Sequence, residues 1–178
     1  VDPLDGTTNF SLGLAIWGVS IARLINGYPT LGVLYFPQLN ELYTTQRGSG
    51  AYLNNNPIFV REPNSPENMS FFACCSRSYR VFNINIPYKP RILGSSTYSF
   101  CMIARGTALL SLDATPKIWD LAAAWLLVEE AGGQIKPFGS GPVFPISTGI
   151  DYSTTSWSVL AAASEKLYEM GCKKIQKK

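Results

Sequence analysis

Ile118-Trp119-Asp120-Leu121-Ala122-Ala123-Ala124-Trp125-Leu126-Leu127-Val128-Glu129-Glu130-Ala131-Gly132-Gly133 decides how this chain is built. Leu121, Trp125, Val128 and Ala131 recur at the helical period, which predicts a helix over 118–131. Asp120 falls in its first turn, where unpaired backbone N–H groups favour negative charge, and Gly132-Gly133 stops it.

Working outward, strands are expected over 107–112, 134–138 and 158–163. A helix is expected over 97–105, closed by Arg105 and Gly106, and a last helix from Glu165 with Ser164 as its N-cap. Residues 70–75 read as a buried strand, 83–90 and 139–149 as loops. Residues 61–68, with Pro63 and Pro66, read as a linker.

The period differs before the linker. Ile16, Val19, Ile21 and Leu24 suggest a strand over 15–25, and Asn26-Gly27 is a type I′ hairpin signal. Strands over 31–36 and 41–45 follow, turned by Pro37-Gln38-Leu39-Asn40. Gly48-Ser49-Gly50-Ala51 and Asn54-Asn55-Asn56-Pro57 frame shorter strands. A meander followed by alternating helix and strand points to stacked α+β layers. The expected division is 1–65, carrying the first acidic motif, and 66–178, carrying the second.

Composition narrows the chemistry. The 178 residues, 46% hydrophobic and 15% charged, are enough for a substantial core. The net charge of +3 is concentrated in Lys173, Lys174, Lys177 and Lys178, read as a solvated last helical turn rather than a nucleic-acid-binding stripe. No apolar run is long enough for a membrane span. The spacing of Cys74, Cys75, Cys101 and Cys172 suggests neither a disulfide framework nor a zinc site, so reduced thiols and a cytoplasmic location are expected. Cys74 and Arg80 have the C-x5-R spacing of thiolate phosphatases, but no glycine lies between them to curl a loop around phosphate. The chain has no histidine, which removes Ser-His-Asp, Cys-His and phosphohistidine chemistry.

Asp2-Pro3-Leu4-Asp5-Gly6-Thr7-Thr8-Asn9 is the densest chemical signal. Two carboxylates across a proline turn, with the Leu4 carbonyl, could meet one hard cation; oxygen ligands suit magnesium or manganese. The Gly6 and Thr7 amides could cradle phosphate, and the Thr7 hydroxyl could orient water. An ordinary Asp-Gly turn fits the same residues, and Asp120 alone could simply complement its helix dipole. Lys117, three residues earlier, could reach a phosphate; the surface reading is preferred.

Together, D-P-L-D-G-T-T-N-F and W-D-L-A-A resemble the inositol monophosphatase family, and the similarity runs over essentially the whole chain. Gly48-Ser49-Gly50-Ala51, Leu93-Gly94-Ser95-Ser96 and Glu130-Ala131-Gly132-Gly133 share in it. The resemblance implies a layered α-β-α-β-α sandwich of the sugar phosphatase type, with the first layer lacking its N-terminal helices. It implies magnesium-dependent, lithium-sensitive hydrolysis of a small phosphorylated polyol or sugar, and is compatible with a homodimer. No nucleic-acid or membrane partner is expected.

Asp2, Asp5, Asp120 and the Leu4 carbonyl match metal ligands. Thr7 matches the residue that helps activate water, and the Gly6 and Thr7 amides match phosphate contacts. Gly94, Ser96 and Asp113 fall where the family meets the alcohol portion of the substrate. The family usually has Glu at Asp113 and often Ala at Ser96. Leu12 and Ala15 stand where many members have His and Pro. The family also carries helices and a metal-binding glutamate before the first motif. The chain opens at Val1-Asp2-Pro3, so it is expected to be N-terminally truncated and, as such, to bind metal poorly. Glu129 and Glu130 lie about 14 Å along the helix from Asp120 and cannot replace that ligand.

Inositol monophosphate is the expected substrate. Thr8-Asn9 follows Thr7 where nucleotide-bisphosphate relatives tend to have Lys. Fructose bisphosphate, histidinol phosphate and a nucleotide phosphate are alternatives, and a non-catalytic binding module is a reading of another class.

Overall fold

Alternating apolar positions fold the first part of the chain into an antiparallel sheet. The computed structural model describes residues 1–62, 70–139 and 141–178. Strands β1 (Asp2–Asp5), β2 (Gly18–Ile25), β3 (Tyr28–Phe36), β4 (Glu41–Gln46), β5 (Ala51–Leu53) and β6 (Asn56–Ile58) lie side by side in chain order. A short helix, α1 (Thr7–Ser11), interrupts the path from β1 to β2. Asn26 and Gly27 both take positive φ, 52° and 81°, as the expected hairpin requires. Leu34, Phe36 and Tyr43 point inward and are fully buried; Ile21, Ile25 and Tyr35 are exposed.

The second half supplies β7 (Phe71–Cys74), α2 (Ser78–Val81), β8 (Phe82–Ile84), β9 (Lys89–Arg91), α3 (Ser96–Ala104), β10 (Ala108–Asp113) and α4 (Ile118–Glu130). It ends with β11 (Gln134–Pro137), β12 (Val159–Ala162), α5 (Glu165–Lys174) and β13 (Ile175–Lys177). The mixed second sheet has the order β11-β12-β10-β7-β9, with β7 parallel to both β10 and β9.

Helices α3 and α4 are sandwiched between the two sheets, which explains their composition. Thr97 to Ala104 and Leu121 to Val128 are buried on every side, so neither helix shows a clean polar face. Helix α5 covers the far side of the second sheet with Leu167 and Gly171 turned inward. At Gly171 an added Cβ would lie 3.0 Å from a Leu160 methyl, so close helix–sheet packing selects glycine there. The result is the layered α/β architecture expected. Among the described residues, no helix layer covers the outer face of the first sheet.

Several details differ from expectation. Residues 83–90 are not simply loop: β8 and the start of β9 lie there. Their pairing is long-range, β8 with the C-terminal β13 and β9 with the edge of β7, and Lys89-Pro90-Arg91 is wholly exposed. Local sequence carries little trace of such strands. For the same reason the lysine tail is not one helical turn. Lys173 and Lys174 close α5, whereas Lys177 belongs to β13, anchored by buried Ile175. Asp2–Asp5 is an irregular strand against β2 rather than a turn. The linker from Pro63 to Asn68 and the division at 65/66 lie outside the described residues. No helix among the described residues is long and apolar enough to cross a membrane.

Candidate active site

Asp2 and Asp5 stand at the two ends of β1, which pairs with β2 through Asp2 opposite Ser20 and Asp5 opposite Gly18. The Ser20 hydroxyl donates to the Trp119 carbonyl at 3.3 Å, tying β2 to the first turn of α4. Asp120 is thereby brought beside β1. One carboxylate oxygen from each of Asp2, Asp5 and Asp120 lies within 4.8 Å of the others.

Each acid is held. Asp2 Oδ1 accepts from the Leu4 N–H at 3.1 Å, and Asp120 Oδ2 from the Lys117 N–H at 2.7 Å. Asp5 Oδ2 accepts from the Ser95 and Thr97 hydroxyls and, at 3.0 Å, from the Thr97 N–H. All three donors reach the same oxygen and fix the carboxylate orientation. Burial raises the Asp5 pKa, opposed by these donors, and nearby Asp2 raises it further. Asp120 is pushed up to about 8, first by burial, then by the charges of Asp5 and Asp2, against the lowering effect of the Lys117 N–H. Three close acids, largely out of water, resist carrying full negative charge together. A hard divalent cation relieves that conflict, and an all-oxygen donor set suits magnesium. The residues present therefore fit such an ion.

The Leu4 carbonyl accepts from the Thr7 hydroxyl at 3.0 Å, so these two predicted groups are partners. Gly6 takes φ 80° at the start of α1, where a Cβ would lie 2.8 Å from the Ile16 carbonyl oxygen. Glycine is required there for both reasons.

A cleft of about 450 Å³ opens beside the acids, lined by Asp5, Asp120, Gly94, Ser96 and Asp113 among others. Gly94 acts chiefly through what it permits. Its φ is 77°, and a Cβ would fall 2.5 Å from Asn9 Oδ1. Asn9 Nδ2 donates to the Ile16 carbonyl at 2.7 Å and to the Leu93 carbonyl at 2.8 Å, stapling the first motif to the loop before α3. Ser96 and Asp113 meet directly: the hydroxyl donates to Asp113 Oδ2, while Oδ1 accepts from the Thr115 N–H at 3.2 Å.

The sequence profile of the inositol monophosphatase family matches residues 1–178. The chain belongs to the inositol monophosphatase family. It is 37% identical over 147 residues to an inositol monophosphatase of Mesembryanthemum crystallinum, covering 76% of this chain and 54% of that protein. It is 35% identical over 140 residues to a histidinol-phosphatase of Chlorobaculum parvum, with 75% and 54% coverage. It is 36% identical over 148 residues to a Nus factor SuhB of Xylella fastidiosa, with 78% and 54% coverage. The chain thus spans about half the length of these relatives. In structure it resembles the Thermotoga maritima IMPase, with TM-score 0.76, 27% identity, and coverage of 97% of this chain and 65% of that one.

Within this family framework, residues beyond the predicted site residues shape the site. Ser95, Thr97 and Asn9 position the acids and loops, and Cys75 and Arg77 line the cleft. Ser95 and Thr97 could have been suspected from the run of hydroxyls around Ser96; Arg77 carries no such signal. Lys117, read as a surface residue, is half-buried, lines the cleft and sends its ammonium to the Ser153 carbonyl at 2.8 Å. Proximity to Asp120 along α4 puts it there.

Glu129 accepts from the Trp125 indole at 2.8 Å, and Glu130 from the Gly48 and Gly50 N–H groups at 2.8 and 2.9 Å. Both are committed elsewhere. Cys74 is buried on β7 and pushed up to about 12 by burial, while Arg80 is exposed on α2; this is not a thiolate phosphate loop.

Proposed function

We propose that this chain carries the core of a magnesium-dependent phosphatase acting on small phosphate monoesters of polyols or sugars. The convergence of Asp2, Asp5 and Asp120 within 4.8 Å, beside a cleft lined in part by hydroxyls, carries the reading. Asp2, Asp5, Asp120 and the Leu4 carbonyl would hold the cation. When bound, magnesium supplies Lewis acidity that makes water a nucleophile near neutral pH and offsets charge on the leaving oxygen.

The chain's own groups do the rest. The Gly6 and Thr7 amides contact the phosphate, as part of this proposal. Thr7 Oγ1 donates to Leu4 O, which leaves its lone pairs to accept from the attacking water and aim it at phosphorus. Water oxygen bonds to phosphorus as the opposite ester bond breaks, and the proton that the water gives up ends on the alkoxide, so ester and water become alcohol and inorganic phosphate. Ser96 and Asp113 bind the alcohol portion. Ser95 and Thr97 keep Asp5 from swinging away.

Inositol monophosphate is the first substrate to try; the histidinol-phosphatase relative also directs attention to histidinol phosphate, and fructose bisphosphate stays an alternative. The unpaired cysteines agree with a reducing compartment such as the cytoplasm. The test is phosphate release with magnesium, with chelator, and with lithium added. Release that needs magnesium and falls with lithium supports the reading. Chelator-insensitive release, or silence across the ester panel from folded, metal-bound protein, overturns it.

A further inference from the structure

β10 ends at Asp113, and the residues on either side of that acid are gripped by the turn that follows β7. The Ala114 N–H donates to Cys75 Sγ at 3.4 Å. Cys75 Sγ lies 3.2 Å from Ser78 Oγ, and the Ser78 hydroxyl donates to the Leu112 carbonyl at 2.9 Å. That last bond uses the hydroxyl proton of Ser78, so the thiol is the donor in the Cys75–Ser78 pair. A relay results: Ala114 N–H to sulfur, S–H to Ser78 Oγ, O–H to the Leu112 carbonyl. It begins and ends on the two neighbours of Asp113. Two more bonds brace it. The Cys75 N–H donates to the Leu112 carbonyl at 3.3 Å, and the Ser158 hydroxyl donates to the Ala114 carbonyl at 2.9 Å. Ser78 is fully buried; Cys75 is half-buried and lines the cleft. Burial, and then the charge of Asp113, raise the Cys75 pKa, so the sulfur works as a neutral thiol that accepts and donates at once.

We propose that Cys75 is a positioning residue: acting through the backbone on either side of Asp113, it holds that carboxylate against Ser96 and so sets how tightly the hydroxylated part of the substrate is bound. This rests on the phosphatase reading above. Without the sulfur, the Ala114 N–H loses its acceptor and Ser78 its donor, and the strand end that carries Asp113 is held less firmly. Serine offers one proton and lone pairs over a shorter reach, so it restores part of the grip.

The test compares inositol monophosphate with p-nitrophenyl phosphate, whose aryl group offers Asp113 no hydroxyl, in the wild type, Cys75→Ala and Cys75→Ser. Cys75→Ala is expected to lower the ratio of kcat/KM for the polyol ester over the aryl ester roughly 3–10-fold, mostly through KM of the polyol ester, and Cys75→Ser to recover part of it. Equal losses on both esters, or an unmoved ratio, overturn the positioning role and leave the phosphatase reading standing. Calorimetric binding of inositol monophosphate in magnesium reads the same contact without turnover. Roughly 3–10-fold weaker binding to Cys75→Ala supports the proposal, and equal binding overturns it even if no ester is hydrolysed. Cys75→Ala removes one half-buried sulfur, so both variants should fold and gain as much Tm from magnesium as the wild type. A lost magnesium response would place the effect at the metal-binding acids instead and overturn the assignment to Asp113.

Discussion

The Ser96 hydroxyl donates to the Asp113 carboxylate, joining the first turn of α3 to the end of β10 on the lining of the cleft. Serine and the shorter acid fit each other: the hydroxyl extends the reach that the short side chain lacks. A hydrogen bond to a charged group is worth about 1.5–3 kcal/mol. Ser96→Ala should free Asp113 and raise KM for a polyol phosphate roughly 3–10-fold with little change in kcat. A double-mutant cycle with Asp113→Asn checks this; additive effects would count against coupling.

Asp120→Asn separates chemistry from folding. The substitution removes one of three mutually repelling acids, so the metal-free protein should melt no lower than wild type. It also removes a proposed ligand, so magnesium should no longer raise Tm, and phosphate release should fall by at least about 100-fold. Thermal melts with magnesium and with chelator read both halves. An Asp120→Asn protein still stabilised by magnesium to the wild-type extent would remove Asp120 from the ligand set.

Most of the fold was legible because local pattern and burial agree. The Asn26-Gly27 hairpin, the α4 helix and the Ser164 cap of α5 each rest on short-range physics, and each formed where expected. What could not be read depends on partners far along the chain. β8 needs the tail strand β13, and the turn at Gly48 and Gly50 needs Glu130, about eighty residues on. The acids of the site were visible as motifs. For Ser95 and Thr97 the run of hydroxyls was a hint, but their partner Asp5 appears only when α3 meets β1, and Arg77, with no signal of its own, meets Thr115 only when the β10–α4 loop is in place.

Thr97 supplies two of the donors that fix Asp5. Thr97→Val keeps shape and backbone N–H but deletes the hydroxyl. A buried carboxylate then loses a charge-assisted hydrogen bond, and stability should fall by about 1.5–3 kcal/mol. Metal affinity should weaken about tenfold as the ligand loosens. Urea unfolding with chelator, together with magnesium titration followed by Tm, distinguishes the two effects. Unchanged affinity alongside lost stability would make the residue structural only.

Glu130 caps the Gly48–Gly50 turn through both carboxylate oxygens. Glu130→Ala leaves two backbone N–H groups without that partner. A loss of about 1–3 kcal/mol is expected in urea unfolding, with no change in the Tm gain from magnesium. A lost magnesium response would instead implicate this helix end in the metal site.

Ser111 offers a test in the opposite direction. It lies fully buried in the middle of β10, between Ala73 of β7 and Ala161 of β12, and its hydroxyl has no hydrogen-bond partner among the described residues. A buried hydroxyl left unpaired costs about 1–3 kcal/mol relative to water, and alanine deletes it while leaving only a small void. Ser111→Ala should therefore be neutral or raise stability by up to about 1 kcal/mol, roughly 2–4 °C in Tm for a chain of this size. The substitution lies within the sheet rather than on the cleft wall, so the magnesium response should persist. A clear fall in Tm would mean that the hydroxyl does find a partner, and that β10 is tied to its neighbours by more than its backbone ladder.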